Sequence, residues 1–207
     1  MKKKIAVAIS LLLVLALSVG GTIAWLTDSD SVTNTFTIGN VDITLTETDA
    51  DNDRNEKANE YHIVPGATVA KDPKVTVRAG SEKCYVFVRI EEKNNAAANN
   101  GKYIEWNVDS TNWTPVAGED GVYMYKDAVD ASDAQQVLYV LQRGEKGTAY
   151  ENGYVTVNGD NVTKAYVDTL TDATRPQLII TAYAVQYAGF ETDVAGAWAK
   201  VDPTPAS

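Results

Sequence analysis

Apolar and polar residues alternate along much of this chain with a period of two, the signature of half-buried β-strands. Val41, Ile43 and Leu45 alternate with Asp42, Thr44 and Thr46. Val75 and Val77 alternate with Thr76 and Arg78, and Ile104, Trp106 and Val108 repeat the pattern. Further strands are predicted over Gly121–Tyr125, Gln136–Gln142, Tyr154–Val157 and Gln177–Gln186. Lys83–Ile90 differs, because Cys84, Tyr85, Val86, Phe87, Val88 and Ile90 make both faces apolar. That pattern marks a central strand covered on both sides. Pro65-Gly66 and Ala79-Gly80-Ser81 read as turns, and Glu47–Glu60 and Lys93–Gly101 as loops. Two short helices are predicted. Thr163 caps one with Ala165, Tyr166, Val167 and Leu170 on its apolar face, and Asp193 caps another through Val194, Ala197, Trp198 and Val201. Many short strands with turn signals, no internal repeat and no long linker predict an all-β antiparallel sandwich.

The first residues follow a different rule. Lys2, Lys3 and Lys4 precede an apolar run from Ile5 to Val19, and Thr22-Ile23-Ala24 follows. A basic start, a short apolar run and a small-residue site form the layout of a secretory signal peptide. The run is shorter than the ~20 apolar residues of a bilayer span. Residues 1–24 are expected to be the signal peptide, cleaved between Ala24 and Trp25, with 25–207 as a single sandwich domain. The membrane is then met only through the signal. The competing reading is an uncleaved anchor.

Charge narrows the partners. The chain has 18 basic and 28 acidic residues and a net charge of −10. Without residues 1–24, which hold three Lys and no acid, it has 15 against 28 and a charge of −13. Such a balance argues against nucleic acid and anionic membranes as partners. Self-association would need salt or divalent cations to screen the repulsion.

The reactive side chains are few. Cys84 is the sole cysteine, so no disulfide forms within the chain. Its apolar strand predicts an inert, buried thiol. His62 is the sole histidine, in the strand-to-turn segment Tyr61-His62-Ile63-Val64, and reads as a packed or capping residue. Zinc sites draw mostly on His and Cys, and no helix here carries paired His ligands. Asp49, Asp51, Asp53, Asn55 and Glu60 have the oxygen-ligand spacing of a calcium loop. Arg54 stands where such a loop needs Gly, and Lys57 is cationic at a ligand position. A solvated acidic loop is the favoured reading, with calcium as the alternative and no other cofactor expected. Trp25, Trp106, Trp113 and Trp198 read as packing aromatics and not as a sugar platform. The Asn-x-Thr triplets at Asn112 and Asn161 carry little meaning in so short a pattern.

The string GGTIAWLTDSDSVTNTFTIGNVDITL resembles the start of the TasA/camelysin family. The matching positions are Thr22, Ala24, Trp25, Thr27, Asp28, Phe36, Thr37, Gly39, Val41, Asp42 and Ile43. YHIVPGATVAKDPKVTVRAGSEKCYVFVRI and ITAYAVQYAGFETDVAGAWAKV resemble clostridial-type members. The resemblance implies a jelly-roll-like sandwich and export handled by a SipW-type signal peptidase. TasA-like members imply a biofilm matrix fibre subunit without enzymatic activity, and camelysin-type members a surface metallopeptidase. A monomeric carbohydrate-binding sandwich is the third reading. For a fibre, cleavage would free Trp25–Thr33 to add to an open sheet edge of the next copy, giving a homopolymer. Trp25, Leu26 and Val32 would fill pockets there, although Thr27–Ser31 is polar.

Overall fold

The computed structural model describes residues 40–50 and 60–201, all within one compact unit. The described residues form eleven strands, β1 (Ile43–Thr46), β2 (Thr68–Ala70), β3 (Lys74–Val77), β4 (Ser81–Lys93), β5 (Ile104–Glu105), β6 (Trp113–Pro115), β7 (Val122–Tyr125), β8 (Val129–Ala131), β9 (Gln136–Tyr139), β10 (Tyr154–Val157) and β11 (Gln177–Gln186). Two helices accompany them among the described residues, α1 (Lys164–Val167) and α2 (Val194–Val201). Every strand pairing is antiparallel.

The thirteen-residue β4 organises the sheets. On one side it pairs with β11 from Lys93 opposite Gln177 to Cys84 opposite Gln186. On the other it meets β7 at Phe87–Arg89 and β8 at Ser81 and Cys84. With β6 on β7 these make a five-stranded sheet. Two three-stranded sheets, β1-β3-β9 and β2-β10-β5, share its core. Cys84, Val86, Val88 and Ile90 point into that core with Val75, Val77, Leu138 and Val155. Tyr85 and Phe87 point the other way, where Ala197 and Trp198 of α2 cover them. Trp198 lies 5.3 Å from the rings of both Phe87 and Tyr183. The doubly apolar pattern of β4 therefore has a cause in each direction.

The predicted strands at Val75–Val77, Lys83–Ile90, Tyr154–Val157 and Gln177–Gln186 are all present. Asp193 caps α2 by accepting from Gly196 N at 2.8 Å, and Thr163 caps α1 by accepting from Tyr166 N at 3.2 Å. Four expectations change. The Ile104–Val108 strand shrinks to Ile104–Glu105, and Val108 makes an isolated bridge to Leu141. Gln136–Gln142 ends as a strand at Tyr139. α1 is a single turn that buries none of its residues, with Leu170 beyond its end. Its tether is a stack of Tyr166 on Tyr103, centroids 3.9 Å apart, and not an apolar face. Glu47, expected in a solvated loop, is buried.

Gly121 illustrates how closely β4 is packed. Its φ is +71°, and its carbonyl accepts from Ile90 N at 2.8 Å. A Cβ there would fall 2.5 Å from the Ile90 carbonyl oxygen. Only glycine meets both the backbone angle and the approach.

Cys84 has no exposed surface, and burial pushes its thiol up to about 11. A thiol reagent at pH 8 should therefore leave the folded protein unlabelled and modify one site per chain after unfolding in guanidinium chloride. Rapid labelling of the folded form would contradict the packing of β4.

Candidate functional site

β1 bonds only to β3, and β11 only to β4, so each has a second edge without a strand among the described residues. Such an edge presents a row of N–H and C=O groups to any strand that can reach it. Between the two strands lies an open groove of about 1000 Å³. Ile43 and Leu45 line one wall, Leu178, Ile180 and Ala182 the other, and Val69 and Val155 lie with them. Apart from Val155, which is buried, these side chains pack against the core yet stay half-exposed, unlike their buried neighbours on β3 and β4. Ile179, on the opposite face of β11, is exposed.

The groove's rim is held by charge. Lys71 donates to both carboxylate oxygens of Glu47, at 2.9 and 3.0 Å, and both side chains are almost wholly covered. The Lys71 ammonium also sits 4.9 Å from the centre of the Tyr61 ring. Thr48 adds two bonds to Asp72, from its amide at 2.8 Å and its hydroxyl at 2.7 Å. The chain leaving β1 is thus clamped to the chain leaving β2. Removing one partner of so buried a pair strands a charge, which typically costs about 3–5 kcal/mol.

A second hollow, about 1410 Å³, opens beside Trp106, which lines both. Glu92 accepts from the Trp106 indole N–H and from Lys102, the latter at 2.6 Å. Burial alone would raise the Glu92 carboxyl. Hydrogen bonds from Lys102 and Trp106, with the Lys102 charge, outweigh burial and hold it below the usual glutamate value.

The sequence-predicted site residues fare differently. His62 is exposed on a segment that is not a strand, at the groove's rim, and is neither packed nor a cap. Asp49 follows the Thr48 clamp and is half-buried. Glu60 is exposed and pairs with Arg175 at 3.3 Å. Asp51, Asp53 and Asn55 lie outside the described residues, as do Ala24, Trp25, Leu26 and Val32. Trp113 and Trp198 are buried as packing residues, with the Trp113 indole donating to the Tyr139 carbonyl at 2.8 Å. Trp106 is only half-buried. The Glu47–Lys71 pair escaped sequence reasoning because its partners are 24 residues apart with no pattern joining them. Glu92, Lys102 and Trp106 likewise come from different elements.

Residues 1–111 match the profile of the camelysin metallo-endopeptidase family. The chain belongs to the camelysin family. The match runs from the N-terminus through β5 and stops before β6, so the string from Ile180 to Val201 lies beyond it. No curated protein matches the chain.

The family's name implies a catalytic metal, and the donor set can be tested against it. Catalytic zinc takes three protein ligands, mostly His with Glu, Asp or Cys. His62 is the sole histidine, and Cys84 is sealed in the core with its thiol pushed up. No three His, Cys, Asp or Glu side chains cluster as a metal site among the described residues. Those residues do not fit the group, and no catalytic step is derived through it. No helix among the described residues is long and apolar enough to cross a membrane.

Glu92 yields a pH prediction. A carboxyl whose folded pKa is depressed stabilises the fold above its unfolded value, ~4.3 for Glu. That contribution is lost as pH falls through the lower folded value. Acid titration should therefore shift tryptophan emission with a midpoint below ~4.3. The transition should vanish in Trp106→Phe and in Glu92→Gln. A midpoint above the ordinary glutamate value would contradict the arrangement.

Proposed function

We propose that this camelysin-family chain is an exported, non-enzymatic fibre subunit that assembles by strand donation. The observation that carries the reading is the pair of open edges, β1 and β11, flanking one apolar groove. A strand laid there would bond to an edge and cover Ile43, Leu45, Leu178 and Ile180. Burying apolar surface favours this by about 25 cal/mol per Å². The proposed donor is Trp25–Thr33 of another copy, freed when a SipW-type peptidase cuts after Ala24. Trp25, Leu26 and Val32 are its apolar anchors. Donation from one copy to the next is heterologous, so it makes open filaments. The acidic surplus would oppose assembly at low ionic strength. The donor set gives the metallopeptidase reading no comparable support, because the described carboxylates at the groove are engaged with Lys71, Thr48 and Arg175.

The test compares the secreted chain with one lacking Trp25–Thr33, by thermal unfolding, light scattering and electron microscopy. Deletion should leave a folded monomer with its melting temperature within a few degrees, because β4, β11 and β3 supply the core. Filaments should be lost. Trp25→Asp should weaken assembly in the same direction, since a charge would replace a buried aromatic. A deleted chain that unfolds makes the segment an ordinary core strand. An intact chain that stays monomeric at high concentration and raised salt ends the fibre reading. Chelator-sensitive proteolysis that disappears in His62→Ala would restore the peptidase.

A further inference from the structure

The hollow beside Trp106 is separate in chemistry from the apolar groove. Its floor is a backbone junction. Val108 bridges Leu141, Gln142 N donates to the Asn107 carbonyl at 2.8 Å, and Asp109 N donates to the Val140 carbonyl at 2.9 Å. Asn107 and Gln142 are therefore held opposite each other at the cleft, both exposed. Their side-chain amides, and that of Asn152 on the rim, make no hydrogen bond to another described residue. Each primary amide offers two donors and a two-fold acceptor. Trp106 and Tyr123 add aromatic surface to the same lining.

The six charged residues of the cleft, Glu92, Asp109 and Glu151 against Lys102, Arg143 and Lys146, balance in sign, and all but the exposed Lys146 are engaged with described residues. Glu92 is bonded to Lys102 and Trp106. Asp109 accepts from Thr111 N at 3.1 Å and from Asn112 at 2.8 Å. Glu151 accepts from Gly147 N at 2.7 Å, while Arg143 donates to the Glu151 carbonyl at 2.9 Å. Beside the Lys146 ammonium, what remains for a ligand is neutral: planar amides with both donors and acceptors, next to aromatic rings. Hydroxyl-rich rings with an apolar C–H face complement that surface. The lining carries no net charge to favour an ionic ligand, and binding sites combine apolar walls with a few placed polar groups. We propose that this cleft binds an uncharged oligosaccharide chain, with Asn107, Gln142 and Asn152 hydrogen-bonding its hydroxyls and Trp106 and Tyr123 lying against its sugar rings. The proposal stands whether or not strand donation occurs.

Isothermal titration calorimetry of the secreted protein with cellohexaose, maltohexaose, mannohexaose and chitohexaose tests it. At least one should bind saturably. The double variant Asn107→Ala/Gln142→Ala changes only exposed side chains and should keep the circular dichroism and melting temperature. It should weaken binding about tenfold, as expected for two lost neutral hydrogen bonds. Trp106→Ala should weaken it further, and Trp106→Phe should retain part of it. No saturable heat with any of the four probes at millimolar concentration overturns the proposal. So does sugar affinity unchanged in the double variant. If the double variant alters the assembly state and no sugar binds, the cleft is a protein contact and the proposal fails.

Discussion

The structure depends on covering one strand, β4, on both faces. Cys84, Val86, Val88 and Ile90 need a core on one side, and Tyr85 and Phe87 need one on the other. A sheet alone could satisfy only the first demand. The second is met by α2, whose Trp198 wedges against Phe87 and Tyr183 while the Arg89 guanidinium lies 5.3 Å from its ring. Each such side chain is worth about 1.5–3 kcal/mol when fully buried. With one cysteine in the chain, no disulfide shares that task. The placement of α2, the length of β11 and the glycine at 121 all follow from closing around β4.

Closing around β4 leaves an asymmetry. Its β11 side is where the five-stranded sheet ends, and β1 ends the sheet across the core. Open edges are a hazard in a soluble protein, because they template pairing with other chains. Proteins usually blunt them with charge, proline or a short edge strand. β11 spans ten residues from Gln177 to Gln186 and carries no charged residue. Pro176 and Arg175 lie before it, at the groove's end. An edge so long, with no strand on it among the described residues, suits pairing with a donated strand, which is how fold and proposed function connect.

Much of the fold was legible in the residues, and the rest failed for identifiable reasons. β11 matches its predicted bounds because a ten-residue, strongly β-prone segment after proline leaves little choice. β2, β6 and β8 went unread because strands of three residues are too short to establish a period. The α1 apolar face was misread, because one turn cannot bury a stripe and a ring stack on Tyr103 holds it instead. The site was less legible than the fold. Glu47 and Lys71 each read as surface charges until the topology brings β1 and β2 together. Asn107 and Gln142 are unremarkable polar residues in sequence, and only the bridge between Val108 and Leu141 sets them side by side.

The acidic surplus gains a structural meaning from these placements. Glu47 clamps Lys71, Asp72 holds Thr48, Asp109 shapes the turn before β6, and Asp193 starts α2. Asp130 accepts both the amide and the hydroxyl of Ser132, which hold its carboxyl below the usual aspartate value. The Asp109, Asp130 and Asp193 bonds fix local turns, and the Glu47 and Asp72 bonds join two chain segments 24 residues apart. Carboxylates spent in this way are fixed in geometry and satisfied by donors. Among the described residues they serve the fold one by one, and no three of them gather with His or Cys as a metal site. Part of the acidic surplus is therefore structural, committed to turns, a helix start and the clamp between the ends of β1 and β2.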